Sequence, residues 1–282
     1  MSLAEATAVP APAVDERTPG ADRLGLVALG LLTLLTIGLA IAPVLLGAGE
    51  RDVVGDTFVG PGANHLFGTD SQGRDMFART ILGARTSWFA AIAVVSVGAT
   101  IGSVVGLIAG FTGGFIDTVL MRLTDAALAL PGPLVALAVV SALGTGLRNT
   151  LIAVAATWWP WYARIVRGQV HALTHRAFVE AARLGGVGRI RRAVVHVLPG
   201  TVGPVIVAIS LDLGAVILVL AGLSFLGLGS PPPAAELGAM SSQGLTFLFN
   251  AWWIAVIPAV AVFVLAMLAN LAGDAVRDLA ER

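Results

Sequence analysis

Cysteine is absent from this chain of 282 residues, which excludes disulfides, thiolate metal sites and a cysteine nucleophile. Lysine is absent too, and all 17 basic residues are arginine. A nucleotide-binding P-loop needs its lysine, so the chain is no Walker-type ATPase and any ATP chemistry belongs to a partner. Charged residues make up only 12% of the chain and cancel to zero, which gives no bulk attraction to nucleic acid. What fills the sequence is apolar. The chain is 57% hydrophobic with a mean hydropathy of +0.89, far above the balance of a soluble domain.

Residues 1–22 are rich in Ala, Pro and acidic side chains and show no apolar period, so they read as a disordered tail. A signal peptide is the competing reading. The tail is net acidic, however, and the run Leu24–Leu46 has 23 residues, against roughly 7–15 for a signal h-region. At about 1.5 Å per residue that run is roughly 35 Å long, enough for a bilayer core. The expected organisation is a first transmembrane helix at 23–46, an external loop at 47–86 and a multi-span membrane core at 87–282. Five spans are expected in that core, near 87–110, 117–143, 148–168, 200–228 and 251–273. The fold class is all-α integral membrane with six transmembrane helices. Gly98, Gly102, Gly106 and Gly110 repeat every four residues, a stripe suited to close packing on a neighbouring helix rather than to pore lining. Pro131, Pro133, Pro160, Pro204 and Pro258 are expected to kink or end helices near span ends.

Between apolar runs lies FVEAARLGGVGRIRRAVVHVLP, Phe178 to Pro199, with Arg183, Arg189, Arg191 and Arg192 inside it and Arg176 just upstream. Its apolar residues form two stripes at helical spacing, Val170–Leu184 and Val187–Val197. Gly185, Gly186 and Gly188 between them suit a sharp turn. Two short amphipathic helices joined by a bend, within a loop at 169–199, are expected on one membrane face, a protrusion another protein can grip. Twelve of the 17 arginines fall on the side shared by this loop and both termini, and Arg51, Arg74, Arg79, Arg85 and Arg148 fall opposite. The arginine bias makes the protrusion and both termini cytoplasmic.

These residues also resemble a known family. Glu180-Ala181-Ala182, Gly186 six positions after the Glu, Ile190, His196 and Leu198-Pro199 are similar to the EAA loop of ABC importer permeases. His65-Leu66-Phe67-Gly68-Thr69-Asp70 with Gly73-Arg74-Asp75, and the later run Leu223–Gly229 before Pro231-Pro232-Pro233, resemble the C-type permease subunit of dipeptide, oligopeptide and nickel importers. The resemblance covers about 65–282. It implies a non-catalytic subunit of a bacterial inner (plasma) membrane importer, with no cofactor of its own. Its partners would be a companion permease, two cytoplasmic ATPases carrying ATP and Mg, and an external substrate-binding protein. Peptides are the first expected substrate, with nickel or another small solute as the alternative; an ion-coupled secondary transporter is the alternative of a different class.

The implied coupling residues are Glu180, Ala181, Ala182, Gly186, Ile190, His196 and Pro199. Glu180 would meet an arginine of the ATPase, or else pair locally with Arg176 or Arg183 at helical spacing. His196 is expected to be a hydrogen-bonded anchor. His171 and His175 lie four apart without a carboxylate or thiol neighbour in sequence, a poor metal site; no metal site and no catalytic residue are expected. Gly68, Thr69, Asp70, Gly73, Arg74 and Asp75 form either an external gate and docking surface or a self-bonded cap. Asp212 stands inside the fifth expected span, where a carboxylate is costly and marks a function or a partner. It is a candidate pathway residue toward a substrate's amine or a metal ion, or a bond to the companion subunit, or it is protonated.

Overall fold

The computed structural model describes residues 20–47 and 49–280. Most of the expected tail at 1–22 therefore lies outside the described residues. Among them every regular element is helical, and pairing of extended backbone is limited to two isolated bridges, Val53 with Arg74 and Thr69 with Asp75. The helices are α1 (Gly20–Leu46), α2 (Met76–Thr112), α3 (Gly114–Leu128), α4 (Gly132–Leu143), α5 (Leu147–Thr174), α6 (Ala177–Leu184), α7 (Arg189–Arg191), α8 (Leu198–Phe225), α9 (Leu237–Gly244) and α10 (Trp253–Ala280). A π-helical turn, Arg192–Val197, joins α7 to α8 without a break.

Four described helical stretches are long and apolar enough to cross a bilayer, or five if α3 and α4 together count as one. The third expected span, 117–143, is not one rod. It breaks at Ala129-Leu130-Pro131, and α3 and α4 meet at 86°. Pro131 supplies no N–H to continue α3 and disfavours helix in the residue before it. Pro160, Pro204 and Pro258 instead lie inside α5, α8 and α10. Helix α5 falls short on hydropathy, carrying Arg148, Arg164 and Arg167 among its 28 residues.

Helix α2 starts at Met76, so the last eleven residues of the 47–86 stretch are its first turns. Asp75 caps it, its side chain accepting from Ala78 N at 2.9 Å. With 37 residues α2 is about 55 Å long, longer than a hydrocarbon core of about 30 Å.

The glycine stripe sets the central helix pair. A Cβ at Gly98 would lie 3.2 Å from Trp158 Cβ, at Gly106 2.9 Å from Val166 Cβ, and at Gly110 2.9 Å from Val170 Cβ. Both helices advance together along this contact, so α2 and α5 run parallel. Helix α8 returns antiparallel to α5: Gly200 meets Leu173, Asp212 meets Trp158, and Leu228 O accepts from Thr150 Oγ1 at 2.6 Å. Helix α10 is antiparallel to α8, with Gly214 against Asn270 and Gly273 against Ser210. The core between these helices is built from Trp88, Val94, Val95, Val154, Tyr162, Val216 and Ile217, all 0–1% exposed.

Candidate functional site

Three groups of side chains stand out, one at each end of the bundle and one midway along it. At the end where α5 gives way to α6, only His175 and Arg176 separate the two helices. Val179 is the anchor of α6. It is 3% exposed and packs with Val166, Val170 and Val197, which fixes the rest of the helix outward. Glu180 and Ala181 are exposed and Ala182 half-buried. Phe178, Leu184 and Ile190 are large apolar side chains at 50%, 89% and 81% exposure. Glu180 occupies the first turn of α6 and Arg183 the last, each favourable to the helix dipole. Among the described residues Glu180 forms no ion pair with Arg176 or Arg183.

The bend after α6 is a Schellman closure. Val187 N donates to Ala182 O at 3.0 Å and Gly186 N to Arg183 O at 3.1 Å. Gly186 takes φ +80°, a left-handed conformation that only glycine adopts at little cost. The returning limb is then pinned to the end of α2. Arg189 Nη2 donates to the carbonyls of Phe111 and Thr112 at 3.3 and 3.2 Å, acceptors that a helix end leaves unpaired. The guanidinium groups of Arg189 and Arg192 lie 5.9 and 5.6 Å from the Phe111 ring centroid. Pro199 is the second residue of α8 and follows directly on the π-helical turn, where it has no N–H to donate to the preceding turn. His196 differs from expectation. Its Nδ1 is buried with no hydrogen-bond partner among the described residues, so the chain itself does not make it a hydrogen-bonded anchor.

A second contact at this end was not visible as a pair in the sequence. Arg167 on α5 bonds Asp117 on α3 through Nε and Nη2 at 2.5 and 2.7 Å, and His171 Nε2 lies 3.8 Å from the same carboxylate. Asp117 and Arg167 are 50 residues apart, and no short-range spacing links them. Exposed Arg164 bonds Asp125 in parallel fashion at 2.7 Å.

At the opposite end the 47–75 segment folds onto the loop before α10. Asp70 is 4% exposed and its carboxylate accepts from Gln72 N, Arg74 N and Arg74 Nε, the last at 2.6 Å. Arg79 Nε lies 3.5 Å from the same carboxylate, while its Nη1 donates to Glu50 O and Pro233 O. Thr69 Oγ1 donates to Asp56 O and accepts from Val59 N, and Thr69 O accepts from Trp253 Nε1 at 3.1 Å. Gly68 and Gly73 both have φ +75°; at Gly68 a Cβ would also lie 2.8 Å from Trp253 Nε1. Asp75 adds a contact to His65 Nδ1 at 3.2 Å. Five of the six residues singled out here are buried, and Asp75 is half-buried. They bond their own loop.

Glu236 belongs to the same end. It is 3% exposed, and its Oε2 and the Ser224 hydroxyl are both buried, adjacent at Gly229, without a partner of good geometry. Burial pushes its carboxyl above the ordinary value of 4.5, opposed by weaker help from Ser224 and the backbone of Ser230 and Gly238. Glu236 immediately precedes α9, and nothing in the local sequence signals its burial.

Midway along the bundle, Asp212 accepts from Trp158 Nε1 at 3.1 Å. The Tyr162 hydroxyl faces the same carboxylate but makes no well-formed hydrogen bond. Asp212, Trp158, Trp161 and Thr157 line one open recess. Among the described residues no group of three or more His, Cys, Asp or Glu side chains is placed to hold a metal ion.

Residues 102–282 match the model of the family described as binding-protein-dependent transport system inner membrane component. The glutathione transport system permease protein GsiD of Escherichia coli is 43% identical over 219 residues, covering 78% of this chain and 72% of that protein. A putative peptide transport system permease protein of Brucella suis is 37% identical over 258 residues, covering 91% of this chain and 86% of that protein. In fold the chain is similar to a crystal structure of an amino acid ABC transporter with histidines, at a TM-score of 0.54 and 15% identity, over 70% of this chain and 92% of that one.

Proposed function

The chain belongs to the binding-protein-dependent transport system inner membrane component family, and within that class of ABC importer permease we propose that it forms half of a peptide path and docks a cytoplasmic ATPase through α6. The observation that carries the docking role is the outward face of α6. Val179 alone is buried on α6, while Glu180 has no local ion pair among the described residues, Phe178 and Leu184 are uncovered, and so is Ile190 on α7. Apolar side chains rimmed by arginine, on a helix anchored by Val179 and followed by a limb that Arg189 and Arg192 pin to Phe111, suit a groove on a partner. Glu180 is free to meet a partner's arginine in a charge-assisted pair.

Six crossings fit the helix directions. Since α2 and α5 run parallel, α3 and α4 together return the chain between them; α8 and α10 then alternate. In that arrangement both termini, the α2–α3 turn and α6 share the arginine-rich, cytoplasmic side, and Asp70, Arg74 and Glu236 lie outside. Helix α5, shared with the pathway recess, hands motion of α6 directly to the bundle through Arg167–Asp117.

Peptide cargo is supported by two relatives, a glutathione and a putative peptide transport system permease. In this reading a companion permease completes the path, two ATPases supply ATP and Mg, and an external binding protein delivers cargo. The test is ATP-dependent uptake of labelled peptides, glutathione included, by proteoliposomes carrying the full complex and its binding protein. Uptake of peptide but not of nickel supports the reading; nickel uptake alone would replace peptide with metal as cargo; uptake of either without ATP would contradict the importer mechanism.

A further inference from the structure

Asp212 is the fifteenth of the 28 residues of α8, and Trp158 the twelfth of the 28 of α5. Both therefore lie near the middle of their helices, the depth at which a carboxylate facing lipid is most costly. Yet Asp212 is only half-buried in the chain, as are Thr157 and Trp158, and Trp161 is 52% exposed. The chain leaves this recess open rather than sealing it. A carboxylate so placed belongs against water or a polar partner, not hydrocarbon.

We propose that Asp212, Trp158, Trp161 and Thr157 form a recess that receives the primary ammonium group of a substrate as it crosses the membrane. This rests on the importer reading above. The donor set selects the ligand. A metal ion asks for several anionic or imidazole ligands, and Asp212 is the one acid lining the recess, with no group of three metal-binding side chains among the described residues. An alkylammonium asks for less: one carboxylate for its charge, indole faces for its cation–π attraction, and a hydroxyl as acceptor. Asp212, the two tryptophans and Thr157 supply those. Trp158 holds the carboxylate through Nε1, fixing its orientation before any ligand arrives.

The absence of cysteine makes a direct test available. In membrane vesicles carrying the full chain with its companion subunits, Thr157→Cys places a single thiol of this chain in the recess. Its modification by a charged ammonium methanethiosulfonate is compared with that by the sulfonate reagent of similar size, each scaled to its rate on a free thiol. The ammonium reagent should be favoured by about tenfold, the attraction and repulsion expected of a nearby carboxylate in a wet site. Asp212→Asn keeps an acceptor for Trp158 and should abolish the preference. Trp161→Cys provides a second reporter should Thr157→Cys fold poorly. A preference unaffected by Asp212→Asn, or a thiol that neither reagent reaches at both positions, would overturn the proposal; the second result would make Asp212 a contact to the companion subunit. Loss of ATP-driven uptake, by contrast, defeats the importer reading and leaves these rates unchanged.

Discussion

Arg167 on α5 grips Asp117 on α3 through two hydrogen bonds, Nε to Oδ1 at 2.5 Å and Nη2 to Oδ2 at 2.7 Å. The pair bridges the helix that leads into α6 to the half-span on the far side of the α2–α3 turn. A fork of this kind fixes angle as well as distance. Arg167→Lys keeps the charge but loses the second bond, so it should lower the stability of the purified protein by about 1 kcal/mol, measured as a drop in Tm. Arg167→Ala should cost more, leaving only His171 beside the Asp117 carboxylate. A Tm for Arg167→Lys equal to that of the unchanged protein would mean the fork geometry contributes nothing.

The α2–α5 contact predicts sharp position dependence among glycines. Gly106→Val forces side-chain atoms against Val166 Cβ and the Ala163 carbonyl and should cost about 3 kcal/mol. Gly222→Ala, in α8 with open space around it, should be tolerated or slightly favourable. Thermal unfolding and the yield of monodisperse protein distinguish them.

Asp70 is the counter-charge for two buried guanidinium groups, Arg74 and Arg79 at 6% and 3% exposure. Asp70→Asn leaves both with one fewer partner and should destabilise the cap by about 3–5 kcal/mol. Limited proteolysis should then cut within 47–75 while the helices stay intact. Protection equal to that of the unchanged protein would show that the cap is held by Trp253 and Glu50 instead.

Glu236 predicts a pH effect of defined sign. Its carboxyl titrates above the ordinary 4.5 because it is buried, so its contribution to stability is present below that value and is lost as pH rises through the raised one. Glu236→Gln removes the loss. The variant should unfold at a higher temperature than the parent at neutral pH and match it near pH 4. A variant less stable at neutral pH would show that the ionised carboxylate is a needed acceptor.

Several of these features were legible in one dimension, and for physical reasons. The glycine stripe has the period of a helix face, so its packing role could be read directly. The break before Pro131 follows from proline's missing donor, although its 86° angle depends on what α3 and α4 rest against. The start of α2 at Met76 was hidden because Thr80, Arg79, Arg85 and Thr86 interrupt the apolar run; the signal was Asp75, an N-cap in a loop rich in other acids. Long-range polar pairs such as Arg167–Asp117 and Glu50–Ala235 leave no local trace at all. Around α6 the sequence placed Gly186 at the bend and the apolar stripe on the helix, while the pinning of Arg189 and Arg192 to Phe111 required the fold.

The most direct test of the account is capture of the cognate ATPase by this chain co-expressed with its companion permease. The comparison is between the unchanged chain, Glu180→Arg and Gly186→Val. The first variant reverses an exposed charge of α6, and the second strains a left-handed turn by roughly 1–2 kcal/mol without touching the helix face. Docking through α6 predicts firm capture by the unchanged chain and loss in both variants, with membrane insertion intact. Capture that survives both substitutions would contradict docking through α6.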